Sequence, residues 1–325
     1  MPDRFDKAIV IGDACVDVHI RLNDLIEGDP NKTLAHETTL GGTGAGAAVI
    51  LKRLGVDTAF LGTVGSDYGG RYLLDGFRKM GIDTEMVIEK KELNTVNVFA
   101  FVNESGERYL WGFPRIDQAY CELDMDLVDL NKIKTASWVH SSGMSVLAKG
   151  SLRKALPELF RIAYEAGVPT SLDLNTRVND LSLLDPDAVK AIRDTLPYVR
   201  YLLGSAEDEF VSFFPCEDYR DSVRHFASDT RTVIARNGKK GYFVISDGIE
   251  KSAPSYDVEV VDTTGAGDSF NAGIICKILE GKDVFEACEF ANAVSASKIS
   301  SVSGEITKEE VEEFMKSAVL RNCEE

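Results

Sequence analysis

Short apolar segments alternate with helical ones along most of this chain, and this alternation constrains the fold more than any other feature. Six segments have the length and composition of buried strands: "KAIVIGD" (7–13), "TAFLGTVG" (58–65), "ASWVHSSG" (136–143), "PTSLDLN" (169–175), "YVRYLLGS" (198–205) and "RTVIARNG" (231–238). Helical spacing predicts helices at 44–55, 68–81 and about 269–280, 284–297 and 308–318. Strands that alternate with helices predict an α/β fold, a mostly parallel central sheet with helices on both faces.

Two regions, 14–40 and about 94–117, break this alternation. "VDVHIRL" alternates apolar and polar residues, and "NTVNVFAFVNESGERYLWGF" predicts a hairpin that turns at "NESGE". We expect these regions to form a small β lid apart from the main sheet, although an edge hairpin of the main sheet is an open alternative. The predicted organisation is a core of residues 1–13, 41–93 and 118–325 with a discontinuous lid of 14–40 and 94–117.

Composition excludes several classes of protein. The 325 residues carry 53 acidic and 36 basic side chains, a net charge of −17, which disfavours nucleic acid and anionic membranes as partners. One phosphorylated ligand remains compatible with this charge. Six cysteines without a CxxC pair and four histidines disfavour a zinc site, and free thiols indicate a reducing compartment. With no signal peptide and no membrane span predicted, we expect a cytoplasmic protein.

The segment "VVDTTGAGDSFNAG" (260–273) predicts an anion site. Gly265, Ala266 and Gly267 open a helix whose first N–H groups have no partner within the helix and carry a partial positive charge. The chain has no P-loop, so this turn is the best candidate to hold a transferring phosphoryl group. Asp268 follows directly, and the residues alone leave two interpretations open: a helix-capping acid or a general base.

A second glycine-rich segment, "GGTGAGAA" (41–48), contains G-x-G-x-x-A, the dinucleotide fingerprint. The preceding residues do not resemble the buried strand that this fingerprint should follow, so a dinucleotide oxidoreductase is a weak alternative. The remaining interpretations are a helix start that a small ligand can approach closely and tight packing of the helix on the sheet.

Several segments together resemble the ribokinase-like carbohydrate kinases, the PfkB family. "DTTGAGDSFNAG", followed by "ANAVSASKISSVSG", closely resembles the C-terminal signature of that family. "VIGDACVDV", "LGGTGAGAAVILKRLG" and "SLDLNTR" resemble its first strand, its Gly-Gly signature and its D-x-N-x-R segment. The order matches from about residue 7 to about 304. The resemblance implies a ribokinase-like α/β core with a β lid, and an enzyme that uses ATP and Mg²⁺ to phosphorylate an alcohol of a sugar or nucleoside.

The resemblance also implies roles for individual residues. Asp268 would be the general base, and Gly265, Ala266 and Gly267 the anion hole. The implied substrate-binding residues are Asp13, Asp17, Gly42, Gly46 and Arg115. The implied nucleotide-binding residues are Asn175, Thr263, Thr264, Asn292 and Gly238. Arg115 could pair with an acidic group of the substrate, and a solvated arginine is an equal alternative.

The resemblance implies metal sites as well. The acid that supports Mg²⁺ falls in "GSAEDE", where Glu207 and Asp208 are the expected residues and Glu209 is a further candidate. Asp262, with carbonyls of 297–304, matches the region in which family members often bind a monovalent cation such as K⁺. The lid residues Trp111 and Phe113 alternate onto one face, which fits the homodimer that many relatives form through the lid.

Three positions depart from the family pattern. Gly46 replaces the usual Asn of the Gly-Gly signature, Ser205 replaces the Asn of N-x-x-E, and "ARNG" (235–238) replaces "TLG". These departures bear on the substrate and on nucleotide contacts more than on the type of reaction. A nucleoside kinase and a catalytically silent sugar- or nucleotide-binding protein therefore remain alternatives.

Overall fold

The computed structural model describes residues 5–21, 36–102, 108–114, 116–301 and 305–321. Within these residues, the main sheet has nine strands: β1 Ala8–Ile11, β4 Thr58–Gly65, β5 Val87–Lys90, β8 Trp138–Ser142, β9 Thr170–Asp173, β10 Tyr201–Ser205, β11 Thr232–Arg236, β12 Tyr242–Ser246 and β13 Ile249–Ala253. Their order across the sheet is β13-β12-β11-β10-β9-β8-β1-β4-β5.

The sheet is parallel from β5 to β11, whereas β12 and β13 extend it as an antiparallel hairpin. The six strands expected from the sequence are all present and lie next to one another, and the predicted α/β class is confirmed. The alternating pattern did not reveal β5, β12 and β13, which lie at the two edges of the sheet.

Helices cover both faces of the main sheet. Their bounds are α1 Thr43–Arg53, α2 Tyr68–Met80, α3 Leu130–Thr135, α4 Leu152–Glu165, α5 Pro186–Thr195, α6 Tyr219–Phe226, α7 Ala266–Leu279, α8 Val284–Ser300 and α9 Lys308–Ser317. Apolar residues of α3 to α6 pack against one face, and those of α1, α2 and α7 to α9 pack against the other. No helix in the described ranges is long and apolar enough to cross a membrane.

Local sequence explains where these helices begin and end. Asp67 accepts a hydrogen bond from the Gly70 N–H at the start of α2, and Gly81 ends that helix with a left-handed φ of 75°. Thr307 and Glu310 form a capping box at the start of α9. The helix boundaries near the site therefore follow from ordinary capping residues, with the exceptions of α1 and α7.

A separate four-stranded sheet carries the two regions that break the alternation. Its order is β3-β2-β6-β7, with β2 Cys15–Arg21, β3 His36–Gly41, β6 Asn97–Val102 and β7 Arg108–Phe113. The segments at 14–40 and 94–117 are thus not an edge hairpin of the main sheet. The expected turn at 103–107 lies outside the described residues, and the chain boundaries between core and lid stay a prediction.

The register of the small sheet separates two kinds of side chain. Asp17 lies opposite Val98 and Thr39, whereas Trp111 lies opposite Phe99 on the neighbouring strand. Because successive side chains of a strand point to opposite faces, Asp17 and Trp111 are on opposite faces of this sheet. The aromatic residues of β7 therefore do not share a face with the expected substrate ligand.

Candidate active site

The carboxyl ends of four parallel strands bring polar residues together. Asp13 follows β1, Asp173 ends β9, Ser205 ends β10 and Arg236 ends β11. Ser205 pairs with Arg236, and Asp173 pairs with Leu203, two residues before Ser205. Ligands of open α/β sheets bind beyond the carboxyl ends of the strands. The N-termini of α1 and α7 both begin at this edge, so the site combines strand ends with two helix starts.

The start of α7 exposes backbone donors. Gly265 has a left-handed conformation (φ 76°, ψ 8°), and the helix begins at Ala266. The Ala266 N–H donates to the Thr263 carbonyl at 3.2 Å, whereas the N–H groups of Gly265 and Gly267 have no acceptor within the described part of the chain. These donors and the positive end of the helix form a site suited to an anion.

Asp268 is the third residue of α7 and the acid of its first turn. Burial raises the pKa of its carboxyl to about 7, and Asp173 and Asp13 act in the same direction, while Arg236 and Arg177 oppose them. A Cβ atom on Gly46, in the first turn of α1, would lie 3.5 Å from Oδ2 of Asp268. The two helix starts thus meet at this carboxyl, which titrates in the range that suits a general base.

Asp13 fixes the start of α1. Its buried carboxyl accepts hydrogen bonds from the N–H groups of Thr43 at 2.7 Å and Gly44 at 3.2 Å. Asp13 thus caps the N-terminus of α1, although it is distant from that helix in sequence. Gly42 has a φ of 97°, and a Cβ atom there would lie 2.7 Å from the Asp13 carbonyl oxygen. This close approach requires glycine, so part of the Gly-Gly pattern is explained by backbone packing around Asp13.

Asp17 reaches the site from the small sheet. Its carboxyl lies against Gly41, where a Cβ atom would come within 2.2 Å of Cγ. Burial raises the pKa of Asp17, and Cys15, which donates from Sγ to Oδ1 at 3.3 Å, acts to lower it. Arg177 acts to lower the pKa of both Asp17 and Asp268. The Arg177 guanidinium therefore lies within electrostatic range of both carboxyls.

A buried network joins β9, β11 and α7. Nη2 of Arg236 donates to both carboxylate oxygens of Asp173, at 2.8 and 3.0 Å, and Nη1 donates to Oδ1 of Asn271 at 2.5 Å. Asn271 in turn donates from Nδ2 to Oδ2 of Asp173 at 2.7 Å. Burial acts to raise the pKa of Asp173, but Arg236 and Asn271 hold it below its ordinary value.

The acidic segment after β10 places its three acids differently. Glu207 is exposed and forms an ion pair with Lys240 at 2.9 Å, and the exposed Asp208 accepts from the Ser205 hydroxyl at 3.0 Å. Glu209 is buried and accepts from the N–H groups of Ser205 and Thr176, at 2.7 and 3.0 Å. Burial and Asp173 raise the pKa of Glu209 to about 7. A wide π-helical turn, Ala206–Phe210, which continues into the short helix Val211–Phe213, directs Glu209 rather than Glu207 inward.

The expected nucleotide residues come from four parts of the chain. Asn175, directly after β9, has a φ of 30°, and Gly238, after β11, has a φ of 50°. Thr263 and Thr264 are exposed in the turn before α7. Asn292 is buried in α8 and donates to the Pro254 carbonyl at 2.9 Å.

A cavity of about 690 Å³ lies next to two of these residues: its lining includes Lys239, directly after Gly238, and Pro254, whose carbonyl accepts from Asn292. Lys240 and Tyr242 also line this cavity, whereas Asp268 is not among its lining residues.

Two expected parts of the site are only partly described. Arg115 lies outside the described residues. Asp262 accepts from the Thr264 N–H at 2.9 Å, but residues 302–304 of the expected cation region are not among those that the structure describes. No group of three His, Cys, Asp or Glu residues suited to a metal ion occurs within the described ranges. The contact of Arg115 with the substrate and the K⁺ site at Asp262 therefore stay predictions.

Sequence reasoning missed the network of Asp173, Arg236 and Asn271. The available signal was weak but physical: Asp173 and Arg236 are charged residues at the ends of otherwise apolar strands, where ligands of parallel sheets bind. Nothing in the sequence indicated that Asn271 faces them.

Comparison with known proteins shows the family of the chain and agrees with its fold. The model of the pfkB family of carbohydrate kinases matches residues 6–310. An uncharacterized sugar kinase of Archaeoglobus fulgidus is 31% identical over 253 residues, 77% of this chain and 94% of that protein. An ATP-dependent ribose-1-phosphate kinase of Halopiger xanaduensis is 29% identical over 281 residues, 86% of this chain and 87% of that protein. A candidate ribokinase II of Escherichia coli, solved with ATP and Mg²⁺, matches with a TM-score of 0.80 and 24% identity over 96% of this chain and 99% of that chain.

These findings show the class of protein, which is an ATP-using sugar kinase with a ribokinase-like fold. The family match covers nearly the whole chain, so the chain belongs to the pfkB family of carbohydrate kinases.

Proposed function

We propose that this protein transfers the γ-phosphate of ATP to a hydroxyl of a sugar or sugar-like small molecule, with Asp268 as the general base. The observation that carries the proposal is the placement of the Asp268 carboxyl in the first turn of α7, with a pKa raised to about 7. A carboxyl that exchanges its proton near neutral pH can accept the proton of an attacking hydroxyl, and such a base contributes roughly 10²–10⁴-fold in rate.

The turn before Asp268 would stabilise the transferring group. The N–H groups of Gly265 and Gly267, which have no acceptor among the described residues, would bind the phosphoryl oxygens together with the positive end of α7 as negative charge develops on them. Ala266 contributes its backbone to the shape of the turn, since its N–H is bonded to the Thr263 carbonyl. Phosphoryl transfer depends mainly on positioning and charge stabilisation, which this turn supplies.

The acceptor would lie between Asp17 and Asp268. A carboxylate can accept hydrogen bonds from two hydroxyls, which suits Asp17 for holding a sugar. Gly46 leaves the space beside Oδ2 of Asp268 without a side chain, so a hydroxyl can approach the base from α1. The aromatic side chains Trp111 and Phe113 do not favour a nucleoside over a sugar as acceptor, because they lie on the face of the small sheet opposite to Asp17.

The nucleoside end of ATP would lie on the side of Gly238 and Asn292, where the cavity of about 690 Å³ opens. Thr263 and Thr264 would face its phosphates from the turn before α7. Basic side chains at that cavity, Lys239 and Lys240, offset the negative charge of the chain locally.

The residues at the strand ends fit Mg²⁺. This ion keeps several waters and binds through one or two carboxylates together with substrate phosphates. Glu209, buried after β10, and Asn175, directly after β9, offer oxygen donors of this kind, and we assign the supporting acid to Glu209 rather than to the ion-paired Glu207. When bound, Mg²⁺ would neutralise negative charge on the phosphates.

The aromatic face of the small sheet would pair with a second copy of the chain. Trp111 and Phe113 are 50% and 53% exposed, and their rings stack with centroids 5.5 Å apart. Phe99 continues this face, 5.8 Å from Trp111. Exposed clustered aromatic surface of this kind marks an interface, and the opposite face carries Asp17.

The experiment that tests the reaction is acceptor-dependent ADP release from Mg·ATP. The panel contains pentoses, hexoses, sugar acids, sugar phosphates and nucleosides, each with wild-type protein and with Asp268→Asn. One stimulating acceptor, with loss of the stimulation in the variant, would support the proposal and identify the substrate. ATP binding without stimulation by any acceptor would favour a silent binding protein.

A further inference from the structure

Arg236 stands in the "ARNG" segment, where the chain departs from its family and to which the proposed reaction gives no role. It ends β11, beside Ser205 of β10, at the carboxyl ends of the strands, where the proposed phosphoryl transfer takes place. Its side chain is 17% exposed, and that of its partner Asp173 is 2% exposed. A guanidinium this close to the surface of a ligand site is nevertheless held by three hydrogen bonds.

These bonds connect segments that are far apart in sequence. Arg236 joins the end of β9 through Asp173 to the second turn of α7 through Asn271, and Asn271 closes the ring by donating to Asp173. Because Arg presents its donors in a rigid planar fork, this arrangement fixes the angle between the strand end and the helix start. A lysine could not make the same set of bonds.

The guanidinium also faces the turn itself. A Cβ atom on Gly267 would lie 3.6 Å from Cζ, 3.6 Å from Nη2 and 3.7 Å from Nε of Arg236. Nearly equal distances to these three atoms place that Cβ position over the face of the guanidinium plane. The first turn of α7 therefore lies beside the guanidinium that holds Asn271.

The positive charge of Arg236 is balanced by neighbouring carboxyl groups. Asp173, Glu209 and Asp268 all interact with it electrostatically, so one cation serves three neighbouring carboxyls. If it were removed, Asp173 would be left as a buried charge without its ion-pair partner, which is strongly unfavourable.

We propose that Arg236 is a positioning residue for phosphoryl transfer: by joining Asp173 to Asn271, beside Gly267, it holds the first two turns of α7, and with them Asp268 and the anion-binding turn, in their working place. This inference rests on the proposed function for its catalytic consequence, but the structural role can be measured separately. A displacement of about 1 Å at a reacting group can cost on the order of 10²-fold in rate.

The test compares Arg236→Lys with Arg231→Lys. Arg231 directly precedes β11, at the opposite end of that strand from Arg236. It donates to the backbone carbonyls of Leu196, Val199 and Phe226. Amide hydrogen exchange is measured in the full chain without ligands, followed by kcat and KM for ATP and for the best acceptor.

For Arg236→Lys we expect exchange in the peptide that spans the start of α7 to accelerate on the order of tenfold. We expect kcat to fall roughly 10- to 100-fold with KM values near those of the wild type. Arg231→Lys should leave both the exchange at α7 and kcat unchanged, even if it lowers the melting temperature. Asp173→Asn should reproduce the Arg236→Lys result, and the double variant should be no worse than either single one.

Unchanged exchange at α7 in Arg236→Lys would overturn the positioning role. Faster exchange with an unchanged kcat would overturn its catalytic consequence. If the wild-type protein releases no ADP with any acceptor, the proposed function fails, while the exchange measurement still decides whether Arg236 positions α7.

Discussion

A Cβ atom on Gly46 would lie 3.5 Å from Oδ2 of Asp268, which is an ordinary van der Waals distance. Gly46 belongs to the first turn of α1 and Asp268 to the first turn of α7, so the starts of two helices meet at one carboxyl. The position tolerates a methyl group sterically, yet that group would cover one side of the proposed base. The missing side chain therefore makes room for an acceptor.

Substitution Gly46→Ala separates stability from activity. The helical position should gain roughly 0.5–1 kcal/mol of unfolding free energy, since glycine is unfavourable within a helix. At the same time, kcat/KM for the acceptor should fall about tenfold, a penalty near 1.4 kcal/mol, while the KM for ATP stays unchanged. Urea unfolding and steady-state kinetics measure the two effects. An unchanged kcat/KM would show that acceptors do not approach Asp268 from the side of α1.

Asp268→Asn should stabilise the protein in the absence of ligands. The folded-state pKa of about 7 lies above the ordinary value of 3.8, so the folded protein holds this proton more tightly than the unfolded chain. Ionised Asp268 therefore lowers stability as pH rises from about 4 to about 7, and the loss is complete above that range. The amide should recover on the order of 1 kcal/mol at pH 8 and less at pH 5. Urea unfolding at both pH values tests this; a variant less stable than the wild type at pH 8 would contradict it.

The acids after β10 should differ in their effect on Mg²⁺. Glu209→Gln should lower activity at limiting Mg²⁺ about 10- to 100-fold, because the buried carboxyl lies among the groups at the strand ends. Glu207→Gln is the matched comparison, since it removes an exposed ion pair with Lys240 that is worth little. Titration of kcat against Mg²⁺ concentration distinguishes the two. Equal effects of both substitutions would remove the assignment to Glu209.

The aromatic face of the small sheet should control the oligomeric state. Trp111→Glu places a charge in the centre of that face and should convert a dimer to a monomer at micromolar concentration, measured by sedimentation velocity. Leu183→Glu is the control, because Leu183 is 70% exposed and belongs to no strand of the small sheet. A wild-type protein that sediments as a monomer would contradict the proposed interface.

The sequence predicted the elements that depend on local interactions better than those that depend on contacts between distant segments. Strands such as β4, Thr58–Gly65, follow from local apolar pattern, and the helix that ends at Gly81 follows from local capping. The edge hairpin β12–β13 was missed because its outer strand is exposed and lacks the buried pattern of a central strand.

The site shows the same limit. The small residues Gly265, Ala266 and Gly267 and the acid Asp268 are contiguous, so their pattern predicted a helix start with a charged first turn. Asp173, Arg236 and Asn271 meet only through the order and register of the strands, which no local pattern contains. The burial of Glu209 and the exposure of Glu207 arise in a π-helical turn, which the local sequence pattern did not predict.

The most direct test of the central claim is the turnover of Asp268→Asn on the best acceptor, with ATP affinity measured in parallel by calorimetry. The account predicts that kcat falls by at least about 10²-fold, the low end expected for loss of a general base, while the Kd for Mg·ATP stays within about threefold of the wild type. A folded variant that keeps the wild-type kcat would show that Asp268 only caps α7 and that the proton of the acceptor leaves by another route.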